Sequence, residues 1–337
     1  MQLSTKFDFE IIENIKSEGV NSDVYIVRDP QVGSKFILKQ IDKRVLKDPE
    51  RYFDESKKIY KLRHPNIIHI HSASYDNRYI YITMPYLKHG SLQHLIENQN
   101  LTLRQIIKYS LDFLSAIYYV HENNIVHCDI KPNNILINNE GSAVLTDFGS
   151  ALYLDNLGNA RLKNVYYKHI APEQCTNSTI NKKIDIYQIG TTLYRMCNGN
   201  DEYNKQARRY KDLNSLKLAC ARGKFPIRKK YLPHIPKQMA NIIEKCIDIN
   251  IYNRYDNVLQ IMNDISSINT HLDWYYNKGN EGKYTWTLNS NENYISIELF
   301  KVDSMWQIID DNKDSLYVET KAKGYRAIRE IIKKYEK

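Results

Sequence analysis

Apolar positions change their period twice along the chain. Ser34 to Lys39 and Tyr79 to Met84 are short β-branched and aromatic runs that predict strands. Between them, Pro49 to Leu62 predicts a helix with Tyr52, Ile59 and Leu62 as its apolar positions. From residue 87 to 271 the period is mostly helical. Thr102 and Gln105 form a capping-box pattern ahead of Ile106, Ile107, Leu111, Leu114, Ile117 and Tyr118. Ile184 to Cys197 predicts a second helix, apolar enough to be buried. After residue 271 the pattern alternates. Tyr284, Trp286 and Leu288 make one run, and Ile295, Ile297 and Leu299 the next. Met305 to Ile309 and Leu316 to Val318 follow, around the turn signal Asp311-Asn312-Lys313-Asp314. Tyr325, Ile328, Ile331, Ile332 and Tyr335 line one face of a closing helix. The expectation is a four-stranded meander plus a helix, added to a larger domain, with no internal repeat.

Composition narrows the classes without choosing among them. The 337 residues are 42% hydrophobic and 26% charged, as in ordinary globular proteins, which excludes collagen-like and wholly disordered readings. The five cysteines contain no CxxC pair, which argues for reduced thiols and against a zinc ribbon. The charged N-terminus lacks the apolar core of a secretion signal, and no apolar run approaches the ~18–20 residues of a membrane helix. These features predict a soluble, cytoplasmic chain. A net charge of +9 favours polyanionic partners, nucleotides among them. The segment 272–337 is neutral (11 basic against 11 acidic residues), which argues against a dedicated nucleic-acid binder.

The densest chemistry is His127-Cys128-Asp129-Ile130-Lys131-Pro132-Asn133-Asn134, with Asp147-Phe148-Gly149 beginning thirteen residues after Asn134 and Ala171-Pro172-Glu173 further on. Phe36-Ile37-Leu38-Lys39 stands upstream as a strand ending in lysine. In this order and spacing the motifs resemble those of the eukaryotic-type (Hanks-type) Ser/Thr protein kinases over about residues 8–268. The resemblance implies an α+β, bilobal fold: a β-rich N-lobe over 1–86, a helical C-lobe over 87–271, and the added β-meander/helix module over 272–337.

It also implies roles. Phosphoryl transfer relies on positioning and on charges that neutralise the phosphates. Asp129 would orient the substrate hydroxyl and accept its proton, and Lys131 would meet the phosphoryl group in flight. Asp147 and Asn134 would ligate Mg²⁺, and Lys39 would bridge the α- and β-phosphates of ATP. Glu55, about nine residues before His64-Pro65-Asn66, would pair with Lys39. Gly19 is the one glycine kept in the phosphate loop Ser17 to Val24. Val24, Ile37, Met84 and Leu136 would surround the adenine, with the Pro85 carbonyl and the Leu87 N–H as its hinge partners. Ile37 is larger than the alanine usual there, which would crowd a purine. Asp185 resembles the aspartate that anchors the catalytic loop, Arg254 the arginine that pairs with Glu173, and His127 a spine residue beneath Phe148.

Two departures bear on regulation and specificity. Cys128 stands where many kinases carry an arginine that receives an activation-loop phosphate, so the chain is a non-RD variant. Ala151 to Glu173 contains no Ser or Thr. The usual receiver and donor are missing together, which predicts activity without that phosphorylation; a loop regulated through Tyr153, Tyr166 or Tyr167 is the alternative. Lys131-Pro132 points to Ser/Thr substrates, while Tyr166, where Ser/Thr kinases usually place a threonine, leaves dual specificity open. Protein substrates are expected, with the C-terminal module docking a substrate or partner. A pseudokinase scaffold and a kinase-fold enzyme acting on a non-protein substrate are the alternative readings.

Overall fold

The computed structural model describes residues 8–15, 22–45, 62–161, 169–175, 179–279, 282–289, 294–312 and 314–336. Five antiparallel strands open the fold: β1 (Glu10–Ile15), β2 (Ser22–Arg28), β3 (Lys35–Asp42), β4 (Ser72–Tyr75) and β5 (Tyr79–Pro85), in the order β1-β2-β3-β5-β4. The turn between β2 and β3 is closed by the Asp29 carboxylate, which accepts from the Gln31 and Val32 N–H groups, and by Gly33 at φ +68°. The helix expected over 49–62 lies outside the described residues except for Leu62, which is buried.

The second part is helical: α1 (Leu92–Asn98), α2 (Leu103–Glu122), α3 (Lys183–Asn198), α4 (Asn200–Ala207), α5 (Leu213–Ala221), α6 (Lys237–Cys246) and α7 (Val258–Ser266). Short strands lie between α2 and α3: β6 (Ile125–Val126), β7 (Ile135–Ile137), β8 (Ala143–Leu145), β9 (Leu152–Tyr153), β10 (Ala160–Arg161) and β11 (Thr179–Ile180). The Thr102–Gln105 capping box forms as its pattern predicts, each side chain bonding the other's backbone N–H. Every residue of α3 from Ile184 to Asn198 is buried, so this helix runs through the core. Gly190 admits that packing: a Cβ there would come within 2.5 Å of Cys246 Cβ and 2.6 Å of Ile247 Cγ2. One hydrophobic core runs from Ile41, Ile80 and Ile82 of the sheet through α2 and α3 to Ile268.

The C-terminal part is a second five-stranded antiparallel sheet in chain order: β12 (Tyr275–Lys278), β13 (Tyr284–Asn289), β14 (Tyr294–Val302), β15 (Met305–Ile309) and β16 (Ser315–Val318). The sheet has one strand more than the four expected. β12 escapes sequence detection because Tyr276 is its one buried residue, so its four positions carry almost no alternation. Helix α8 (Lys321–Tyr335) follows β16, and Trp274, Trp286, Ile297, Leu299, Ile308, Ile328 and Ile332 form a separate core.

Polar contacts seat this module on the helical part. The Arg104 guanidinium meets both oxygens of Asp273 at 2.6 and 2.7 Å, and Arg329 donates to the Tyr231 carbonyl at 2.8 Å. Trp286 Nε1 donates to Nδ1 of the buried His234 at 3.3 Å. Burial holds that imidazole down at about 3, so it stays neutral and able to accept.

Candidate active site

The strand register places four expected residues on one face. Val24 pairs with Lys39, Ile37 with Met84, and Lys39 with Ile82. Cross-strand partners project to the same side, as do residues two apart, so Val24, Ile37, Lys39 and Met84 share a face of the sheet. Pro85 ends β5, and the Leu87 carbonyl accepts from the Gly90 N–H at 3.1 Å. The β7–β8 hairpin is tied to the same segment: Ile137 N–H donates to the Gly90 carbonyl at 2.9 Å, and half-buried Leu136 bridges Ser91. Gly19 and Glu55 lie outside the described residues.

Lys39 Nζ lies 3.0 Å from Asp147 Oδ1, an ion pair that joins the sheet to the helical part. The Lys39 ammonium is the main reason that the Asp147 carboxyl is held down at about 2. Asp147 takes a left-handed backbone, φ +61°, which a short polar side chain tolerates. The next residue, Phe148, is fully buried with its ring 4.7 Å from that of His127, as expected for a residue beneath it. Phe148 inward and Asp147 toward Lys39 are two consequences of the same turn.

Asp129 is the second focus. Asn134 Nδ2 donates to its carbonyl and to its Oδ2, both at 2.8 Å, and Lys131 Nζ lies 3.0 Å from the same Oδ2. Among the described residues no donor reaches Oδ1, which leaves that oxygen able to accept a proton. Burial raises the Asp129 pKa, against the opposing pull of Lys131.

The loop bearing these groups has little regular structure, so side chains hold its backbone. Asp185 on α3 accepts from the His127 and Cys128 N–H groups, at 2.8 Å each, and is 2.8 Å from His121 Nε2. This is the anchoring expected of it. Glu173 and Arg254 form the expected pair as a two-pronged contact, 2.8 Å on each side, with the Arg254 side chain wholly buried. Gln188, which the motifs do not single out, accepts from the Ile130 N–H at 2.8 Å and donates to the Cys128 carbonyl at 2.9 Å. The available signal was its place three residues after Asp185, on the same face of a helix.

A family model, the protein kinase domain, matches residues 11–265. The chain belongs to the protein kinase family. The match begins at the second residue of β1, ends one residue before the end of α7, and stops short of the C-terminal module. Serine/threonine-protein kinase PrkC of Bacillus subtilis is 28% identical over 77% of this chain and 40% of its own length. Serine/threonine-protein kinase PknD of Protochlamydia amoebophila is 22% identical over 93% of this chain and 36% of its own. Serine/threonine-protein kinase Nek1 of Mus musculus is 28% identical over 69% of this chain and 19% of its own. The chain spans about two fifths of the length of the first two relatives. Among the described residues no helix is long and apolar enough to cross a membrane.

Proposed function

We propose that this chain transfers the γ-phosphoryl group of Mg²⁺-bound ATP to Ser or Thr hydroxyls of protein substrates. The observation that carries the reading is the pairing of Asp129 with Lys131 and Asn134 in the loop below the Lys39–Asp147 ion pair. Asp129 Oδ1 takes the hydroxyl proton, and Lys131 offers a point charge to the phosphoryl group as it passes. Lys39, drawn from Asp147, meets the α- and β-phosphates. The donor set suits Mg²⁺: Asp147 is a carboxylate kept ionised, and Asn134 commits its amide nitrogen to Asp129, which leaves its oxygen as a ligand. The bound ion neutralises phosphate charge. Val24, Ile37, Met84, Leu136 and the Pro85–Leu87 hinge take the adenine, with Gly19 at the phosphates and Glu55 beside Lys39.

The same reading divides the chain at residues 86 and 271; β5 ends at Pro85, and the second core begins at Trp274. Ser/Thr specificity rests on Lys131-Pro132 and on the names of the relatives. With cysteine at 128 and no Ser or Thr between Ala151 and Glu173, activity needs no activation-loop phosphoserine or phosphothreonine. Phosphatase treatment should leave the rate unchanged; a large loss would overturn this point. The five free cysteines fit a reducing cytosol. The C-terminal module recruits a protein: reversing the exposed Arg326 and Lys334 to Glu should slow the physiological substrate and spare a generic one.

Incubation with Mg²⁺ and γ-labelled ATP, beside an Asp129→Ala variant, tests the chemistry. Label on substrate that vanishes in the variant is the expected result. Equal label in both, or none in either, overturns the reading.

A further inference from the structure

The catalytic loop is held from one side by two side chains of α3. Asp185 takes the His127 and Cys128 N–H groups, and Gln188 takes the next polar groups along the chain. The Gln188 amide brackets Asp129: its oxygen accepts from Ile130 N–H at 2.8 Å, and its nitrogen donates to the Cys128 carbonyl at 2.9 Å. The same nitrogen reaches the His169 carbonyl, at 3.4 Å, two residues before Ala171. Both ends of the amide meet backbone partners of the opposite kind, so its orientation follows from the network. Gln188 is 2% exposed, so water does not replace these bonds when they are lost.

Cys128 is the residue that most needs holding. Its φ is +66°, a conformation that a side chain with a Cβ adopts at a cost and keeps only when its surroundings impose it. Asp185 fixes its N–H and Gln188 fixes its carbonyl. Between them they set the peptide that leads into Asp129.

We propose that Gln188 is a positioning residue for phosphoryl transfer: its amide clamps Cys128 and Ile130, sets the direction of the Asp129 carboxylate, and couples that loop to the chain at His169. The role rests on the activity proposed above. Gln188 is 2% exposed and, among the described residues, its amide bonds only backbone groups, so its loss should lower kcat and leave KM for ATP nearly unchanged.

Two variants separate positioning from folding. Gln188→Met keeps length and volume and removes both bonds. Gln188→Glu keeps an acceptor for Ile130 N–H and, when ionised, cannot donate to Cys128; protonation restores the donor. The titratable or charged groups around that amide are Asp185, Tyr187 and Arg195 on its own helix, Cys128, Asp129, Lys131 and His127 in the loop, and His169. Burial raises the pKa of a carboxyl introduced there, and the Asp185 carboxylate adds to the rise.

The experiment measures kcat and KM for ATP across pH 6 to 9 for wild type and both variants, with thermal melting as the check on folding. The expected result is a fall of roughly 10–100-fold in kcat for Gln188→Met. Gln188→Glu should show a deficit at high pH that narrows, relative to wild type, as pH falls. A wild type that transfers phosphate, with both variants matching its kcat, overturns the positioning role alone. So does a Gln188→Glu deficit that is constant with pH and explained by a lower folded fraction. A wild type without transfer overturns the proposed activity and this role with it.

Discussion

Lys39 and Asp147, 108 positions apart in the chain, meet at 3.0 Å and form the ion pair between the first sheet and the loop after β8. The Lys39 ammonium is what chiefly keeps the Asp147 carboxylate ionised. Lys39→Met should therefore lower phosphoryl transfer by about 100-fold or more, the scale seen when one preorganised hydrogen-bond donor is removed. It should also raise the Asp147 pKa toward the ordinary carboxylate range. Initial rates and an ATP-induced thermal shift check the first, and NMR titration of the Asp147 carboxyl the second.

The acid limb of the pH–rate profile should belong to Asp129. Its folded pKa is raised by burial, and a base must be ionised to act, so kcat falls as pH drops through that raised value. Asp147, held at about 2, stays ionised throughout. Lys131 lowers the Asp129 pKa, so Lys131→Met should move the acid limb to higher pH as well as reduce its plateau. A limb that stays in place would count against Asp129 as its source.

Two arginine–carboxylate pairs of similar geometry should differ in worth because one is buried. Arg254→Met removes the wholly buried half of its pair with Glu173 and should cost roughly 3–5 kcal/mol. Arg104→Met breaks a pair whose side chains are 61% and 48% exposed, and should cost under about 1 kcal/mol. Urea unfolding of the two variants side by side measures the difference.

Gly190→Ala should destabilise by about 1–3 kcal/mol, because its Cβ would overlap Cys246 and Ile247 where α3 crosses α6. An unchanged unfolding midpoint would show that the two helices part without cost.

Much of this could be read from the chain. Strand and helix periods locate β3, β5, α2 and α3 to within a few residues, since burial of one face imposes those periods. Asp129, Lys131, Asn134 and Asp147 are visible because they sit in short, ordered motifs, and the structure brings all four into one neighbourhood with Lys39. The strand β12 was not visible, for its four residues bury a single side chain.

Gln188 shows the boundary most clearly. The sequence by itself determined the kinase motifs, their order, and most of the helices and strands that carry them, because those are local properties of spacing and polarity. Which backbone atoms of the loop around Asp129 would lack partners, and which side chain of α3 would reach them, was decided only in three dimensions. A loop without repeating hydrogen bonds takes its partners from whatever packs against it, and nothing in its own residues names them.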